Sequence, residues 1–301
     1  MKVLKFGGTS VANAQNIALV KNIVAVSKAD KTIVIVSALG GVTDLLINSA
    51  YLASNQDNDY KNILKQIEER HLLAIKELIP IAQQSKVLSK VKSELNALET
   101  LLDGAYLIGE ITPKLSDKIV SYGELLSSYI ISEYFIISNL NCAYKDSREL
   151  IKTNGTFGKA IVDFGLTNEI CTNYFSTVSE EIIVMAGFIA SSIIGDSTTL
   201  GRGGSDYTAA IVASAVNAEI LEIWTDVSGM YTANPKIVKQ AMAIPHISYE
   251  EAMELSHFGA KVLYPPTIQP VLSKGISIVI KNTFDAENSG TLITKSKNDQ
   301  G

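Results

Sequence analysis

Cysteine, histidine and tryptophan are scarce: the 301 residues include two, three and one of them. Cys142 and Cys171 lie far apart with no Cys-x-x-Cys spacing, so neither a disulfide framework nor a zinc site is expected, and both read as plain thiols. Proline is also sparse, at 7 residues. With 47% hydrophobic and 19% charged residues, the balance is that of a packed globular protein, which excludes fibrous and disordered classes. Positive charge is in deficit: 26 Lys and Arg face 31 Asp and Glu, for a net charge of −5. No global basic field exists to hold a polyanion, so nucleic acid is not an expected partner. The longest uncharged apolar stretch, Ile182 to Gly195, contains Gly187, Ser191 and Ser192 and falls short of the roughly 20 residues that cross a membrane. It is expected to be buried strand. The N-terminus lacks the apolar core of a signal peptide, because Lys5 interrupts it early. The expectation is a cytoplasmic protein with no membrane partner, in which Asn154-Gly155-Thr156 is a turn rather than a glycosylation site.

The chain alternates strand and helix signals. Val3 to Phe6 is an apolar run closed by Gly7-Gly8, and the segment after it places Ile17, Val20 and Val24 on one helical face. Thr32 to Ala38 is almost continuously β-branched, the pattern of a strand buried on both faces, and Gly40-Gly41 ends it. Thr43 and Asp44 then suit an N-cap for a helix running through Ser54. After the polar break at 55–59, helices are predicted over about 61–79 and 85–102. Pro113 opens another, which Gly123-Glu124 is expected to interrupt before an apolar helix resumes over 125–137. Later strands are predicted over 181–190, 219–225 and 276–281, with a helix over about 206–216. Such alternation implies an α/β fold: a three-layer αβα sandwich with an open, mainly parallel sheet, a helical insert near 61–137, and ligands at the carboxyl ends of strands.

Two glycine clusters follow apolar runs: Lys5-Phe6-Gly7-Gly8-Thr9-Ser10 and Gly201-Arg202-Gly203-Gly204-Ser205-Asp206. Each can cradle a phosphate or carboxylate, because glycine lets backbone N–H groups approach an anion and Lys5 or Arg202 adds a full positive charge. A glycine pair can equally be a simple tight turn. Three better-known phosphate motifs are set aside. Gly155-Thr156-Phe157-Gly158-Lys159-Ala160 is too short for a Walker A loop and ends in an alanine that cannot ligate magnesium. Asp163-Phe164-Gly165 has no accompanying His-Arg-Asp, and no Gly-x-Gly-x-x-Gly fingerprint of a dinucleotide fold occurs.

The two glycine clusters, the longer run Gly201 to Tyr207, Trp224-Thr225-Asp226 and Phe258-Gly259-Ala260-Lys261-Val262-Leu263 occur in an order that resembles the catalytic domain of aspartate kinases, from Lys2 to about Leu292. The resemblance implies the amino-acid kinase fold and transfer of the γ-phosphoryl group of MgATP to the side-chain carboxylate of L-aspartate, the first step toward lysine, threonine, methionine and isoleucine. It implies catalytic roles for Lys5, Asp206 and Lys261, with Lys5 and the Gly7 and Gly8 amides around the transferring phosphate and Asp206 orienting Lys5. It assigns Arg202 and Glu124 to the two charges of the substrate zwitterion, with Thr43, Ser37 and Ser205 beside them. The nucleotide is expected on Lys5, Phe6, Gly7, Gly8, Thr225, Asp226, Tyr231, Lys236, Lys261 and Val262. Magnesium is expected through the ATP phosphates, with no dedicated metal ligands.

By the same resemblance residues 1–293 form the kinase domain, the N-terminal part binding aspartate and about 200–285 binding ATP, followed by a polar tail at 294–301. Asn234-Pro235-Lys236 stands where the family more often carries Asp-Pro-Arg, so the planar fork of arginine is lost there. Aspartate kinases usually continue into regulatory domains, and some into a homoserine dehydrogenase; these are expected to be missing partners in the full-length protein, and the resemblance also allows a homo-oligomer. A same-fold kinase for glutamate or an N-acetylated amino acid, and a catalytically silent binding module, remain as alternatives. Glu124 favours a free amino acid over the N-acetylated one, because an acetylated nitrogen carries no charge to pair with it.

Overall fold

The structure, a computed structural model, describes residues 1–27, 30–233, 237–238, 240–257, 263–264 and 268–296. Its first half comprises β1 (Lys2–Phe6), α1 (Ala14–Ala25), β2 (Thr32–Val36), α2 (Val42–Ser54), α3 (Tyr60–Leu78), α4 (Gln84–Ile108), α5 (Pro113–Ile137), β3 (Cys142–Lys145), α6 (Ser147–Leu150) and β4 (Lys152–Thr153). The chain continues through α7 (Phe164–Thr177), β5 (Ile182–Ala186), β6 (Ile189–Ser192), β7 (Ser197–Thr199), α8 (Gly204–Ala215), β8 (Ile220–Thr225) and β9 (Met230–Tyr231). It ends with β10 (Ala243–Ile244), β11 (His246–Ser248), α9 (Tyr249–His257), α10 (Gln269–Lys274), β12 (Ser277–Asn282) and β13 (Thr291–Thr294).

Eight strands form the main sheet in the order β11-β13-β12-β8-β1-β2-β5-β3, parallel at every pairing except β12 with β13. Side chains alternate across it as the pleat requires. Leu4, Phe6, Val34 and Val36 enter one core with α1 to α5, whereas Val3, Ile33, Ile35, Ile183 and Met185 enter a second core with α7, α8 and α10. This is the three-layer αβα sandwich. Every residue of β2 and β5 is buried, which explains their unbroken β-branched and apolar sequence. From β1 the chain passes through α1 to β2 on one side, whereas from its other neighbour, β8, it passes to β12 and β13 on the opposite side, so the connections leaving these two carboxyl ends diverge. A crevice opens there, at the switch point of the sheet.

Several local expectations are corrected. Helix α5 runs without a break through Gly123 and Glu124. A Cβ on Gly123 would lie 3.0 Å from the Ala38 Cβ and 3.1 Å from Leu46, so this glycine serves close packing of the helix on β2's end and α2 rather than interruption. The stretch from Ile182 is two strands, β5 and β6, separated by Gly187-Phe188, with Phe188 at φ 65°. The N-cap of α2 is Gly41, in the left-handed conformation, so Thr43 and Asp44 fall in the first turn instead of capping it. Asp163 has a plain capping role: its carboxylate accepts from the Leu166 N–H at the start of α7. No helix among the described residues is long and apolar enough to cross a membrane.

Candidate active site

The carboxyl ends of β1, β2 and β5, with the first turns of α2 and α8 and the middle of α5, enclose a cleft of about 650 Å³. Lys5, in the second-last position of β1, points to the α8 side of the sheet, and its Nζ lies 2.7 Å from the Asp206 carboxylate. Both side chains are largely buried yet line the cleft. Asp206 sits in the first turn of α8, whose N-cap, Gly203, has φ 71°. That positive φ is cheap only for glycine, and it turns the chain so that Ser205 and Asp206 face the strand ends. The approach is tight: a Cβ on Gly187 would fall 2.6 Å from the Ser205 Cβ. Ser205 in turn meets Ser37, at the end of β2, with the two hydroxyl oxygens 3.0 Å apart.

Glu124 lies on α5 at 3% exposure, lines the same cleft, and leaves its Oε2 with no hydrogen-bond partner among the described residues. Burial pushes its pKa up to about 8, against hydrogen bonding from the Ala38 backbone, which favours the ionised form. A buried carboxyl held this way is unsatisfied until a donor or a cation reaches it. Arg202 is exposed at the rim, its guanidinium 5.6 Å from the centre of the Tyr264 ring, and no carboxylate among the described residues pairs with it. Thr43 completes the wall from the first turn of α2. The cleft therefore offers a buried acid, a solvent-facing cation and hydroxyls, with a lysine–aspartate pair alongside.

The structure brings together Lys5, Ser37, Thr43, Glu124, Arg202, Ser205 and Asp206. The glycine turn after β1 is reached differently from expectation. The Gly7 N–H donates to the Trp224 carbonyl at 3.1 Å, so it is already committed within the fold; the Gly8 N–H has no partner among the described residues. Phe6 is fully buried and stacks on Trp224 with ring centres 5.8 Å apart, so its side chain belongs to the core rather than to the cleft. Thr225 ends β8, and its hydroxyl donates to Asp226 at 3.2 Å; with Tyr231 on β9 they lie beyond the residues lining the cleft. Lys236, Lys261 and Val262 lie outside the described residues. No group of three or more His, Cys, Asp or Glu among the described residues could hold a metal ion.

Sequence reasoning missed Phe188, Gly158 and Thr199, which also line the cleft. Gly158 belongs to the Gly155–Ala160 segment set aside as a failed Walker loop, and Gly187, just before Phe188, breaks the apolar run after β5. Those two irregularities were the available signals. Residues 201–206 share one cleft with Thr43 and Glu124.

A model of the amino acid kinase family matches residues 1–282. The bifunctional aspartokinase/homoserine dehydrogenase 2 of Zea mays, a chloroplastic protein, is 38% identical over 294 residues, covering 97% of this chain and 32% of that protein. Lysine-sensitive aspartokinase 3 of Escherichia coli is 34% identical over 298 residues, covering 97% of this chain and 63% of that one. Among solved structures, E. coli aspartokinase III in complex with aspartate and ADP superposes with a TM-score of 0.91 at 33% identity, over 99% of this chain and 65% of that chain. The chain thus spans about a third of the bifunctional plant relatives and under two thirds of the E. coli protein.

Proposed function

Because the chain belongs to the amino acid kinase family, we propose that its cleft transfers the γ-phosphoryl group of ATP to the side-chain carboxylate of L-aspartate, giving 4-phospho-L-aspartate and ADP. The observation that carries this reading is the pairing of Glu124, buried and without a partner at Oε2 among the described residues, with the exposed cation of Arg202 in one cleft. A free amino acid presents an ammonium and an α-carboxylate, and these two side chains match them charge for charge. Names of relatives at about this similarity support the same substrate.

The chemistry asks little of a general base. A carboxylate with an ordinary pKa near 4 is already ionised at neutral pH, so scarce histidine is no handicap. The obstacle is repulsion between an anionic acceptor and a polyphosphate, which positive charge and exact placement must offset. Lys5 supplies the charge, and Asp206 fixes its ammonium at 2.7 Å at the junction between amino acid and phosphate. The Gly8 N–H, in the turn after β1, has no partner among the described residues and is a further donor for the phosphate. Thr43 and the Ser37–Ser205 pair provide hydroxyls along the same wall. The nucleotide is assigned to the carboxyl ends of β1 and β8, with Thr225, Asp226 and Tyr231 around it and Lys236, Lys261 and Val262 contributing from outside the described residues. Magnesium would travel on the ATP phosphates, screening their charge, because the described residues offer it no carboxylate cage. In the whole protein this kinase unit would act beside further domains, regulatory ones or a dehydrogenase, the latter as the names of the bifunctional relatives suggest.

The test is ADP formation measured with L-aspartate, L-glutamate and N-acetyl-L-glutamate as acceptors. Aspartate-dependent turnover, with the N-acetylated acid inert, is the expected result. Turnover favouring the N-acetylated acid would remove the zwitterion site; ATP binding without turnover on any acceptor would leave a binding module.

A further inference from the structure

Asp117 sits on α5 at 4% exposure and has no part in the site described above. Its carboxylate is nevertheless the junction of three segments. Oδ2 accepts from the Gly158 N–H at 2.9 Å and from the Thr199 N–H at 3.0 Å, and Oδ1 accepts from the Thr199 hydroxyl at 2.8 Å. Gly158 and Thr199 both line the cleft, although they come from different segments. They are also tied to each other, since the Ala160 N–H donates to the Thr199 carbonyl at 3.0 Å.

We infer that Asp117 is a positioning residue for the amino-acid end of the cleft, setting the distance between Glu124 and the rim that carries Arg202. The inference rests on the reading of the cleft as an aspartate site. Asp117 and Glu124 are seven residues apart on one helix, two turns along the same face. Glu124 offers its carboxylate to the ligand, while Asp117 grips the opposite wall. Arg202 follows Thr199 by three residues, through Leu200 and Gly201, and its exposed side chain has no carboxylate of the described residues to hold it. Its location is inherited from the base of that loop. The base is fixed by Asp117 and by the Leu200 N–H bonded to the Phe188 carbonyl at 2.9 Å.

An amide in place of the carboxylate weakens this grip. Asparagine keeps one oxygen for the two backbone N–H groups but loses the charge that strengthens all three bonds, and its NH₂ would force the Thr199 hydroxyl to turn from donor to acceptor. The loss should therefore appear in placement of the amino acid, and much less in the nucleotide or in the Lys5–Asp206 pair, which Asp117 does not touch.

Steady-state kinetics of Asp117→Asn and Thr199→Val, with aspartate and ATP varied separately, tests this. The account expects the aspartate KM of Asp117→Asn to rise about tenfold or more, with the ATP KM and kcat within about threefold of wild type. Thr199→Val removes one donor and keeps the backbone bond, so a smaller rise of about threefold is expected, and this variant decides the matter should Asp117→Asn fail to fold. An unchanged aspartate KM would overturn the inference. So would equal losses on both substrates with a lowered Tm, the mark of a purely structural carboxylate. A wild-type protein without aspartate-dependent turnover would overturn the proposed function and this inference together, whereas an active wild type with unmoved KM values overturns the inference alone.

Discussion

At Glu124 burial and ligand chemistry pull in opposite directions. Desolvation raises its pKa to about 8 in the free protein, so the carboxyl is mostly neutral at pH 7. An arriving ammonium favours the ionised form and lowers that pKa, so binding of aspartate below pH 8 must expel a proton. Affinity for aspartate should then rise with pH, by up to about tenfold per unit, and level off near pH 8. Titration calorimetry in two buffers of different ionisation enthalpy reads the proton directly. Glu124→Gln should bind aspartate more weakly and lose the pH dependence; affinity independent of pH between 6 and 8, without proton release, would contradict the pairing. The identity of this residue was visible in the sequence only through resemblance. Nothing in the run Ser121-Tyr122-Gly123-Glu124 announces that the helix continues and buries the acid, which depends on Gly123 packing against Ala38 and Leu46.

Among the elements, the layer of α1 to α5 carries the larger part of one core, and α3 hides an unusual member. His71 is fully buried, its Nδ1 is 2.7 Å from the Ile67 carbonyl, and its Nε2 has no partner among the described residues. Burial is the main cause that lowers its pKa from 6.5 to about 4, with the nearby Arg70 charge acting in the same direction. The native state thus keeps the ring neutral where the unfolded chain would protonate it. Its contribution is intact above pH 6.5 and is lost as pH falls from 6.5 toward 4. At about 1.4 kcal/mol per pKa unit the loss is on the order of 3 kcal/mol. Denaturant unfolding of wild type and His71→Leu at pH 7 and pH 4.5 checks this: the variant should lose clearly less stability on acidification, and equal losses would show that His71 does not carry the effect. The helices themselves were legible because their apolar faces are long and periodic, as Ile17, Val20 and Val24 illustrate. The four-residue β3 and the two-residue β4 were not, since so few residues give no readable alternation.

For the molecule as a whole, sequence periodicity led to the sandwich and its parallel sheet because β2 and β5 are buried on both faces and leave almost no polar residue to confuse the pattern. The cleft was less legible, because its walls come from positions as distant as Lys5, Glu124 and Asp206, which only the strand order β8-β1-β2 brings together. Gly7 shows the limit of motif reading: the glycine turn is real, yet one of its amides is spent on Trp224. The central claim concerns a single new bond, between the side-chain carboxylate of aspartate and phosphorus. It is tested most directly by ¹³C NMR of L-aspartate labelled at both carboxyl carbons, incubated with the protein, ATP and magnesium. The account expects a new labelled resonance split by phosphorus as ADP accumulates. ADP formation with the side-chain signal unchanged, or phosphorus coupling at the α-carboxyl instead, would contradict it.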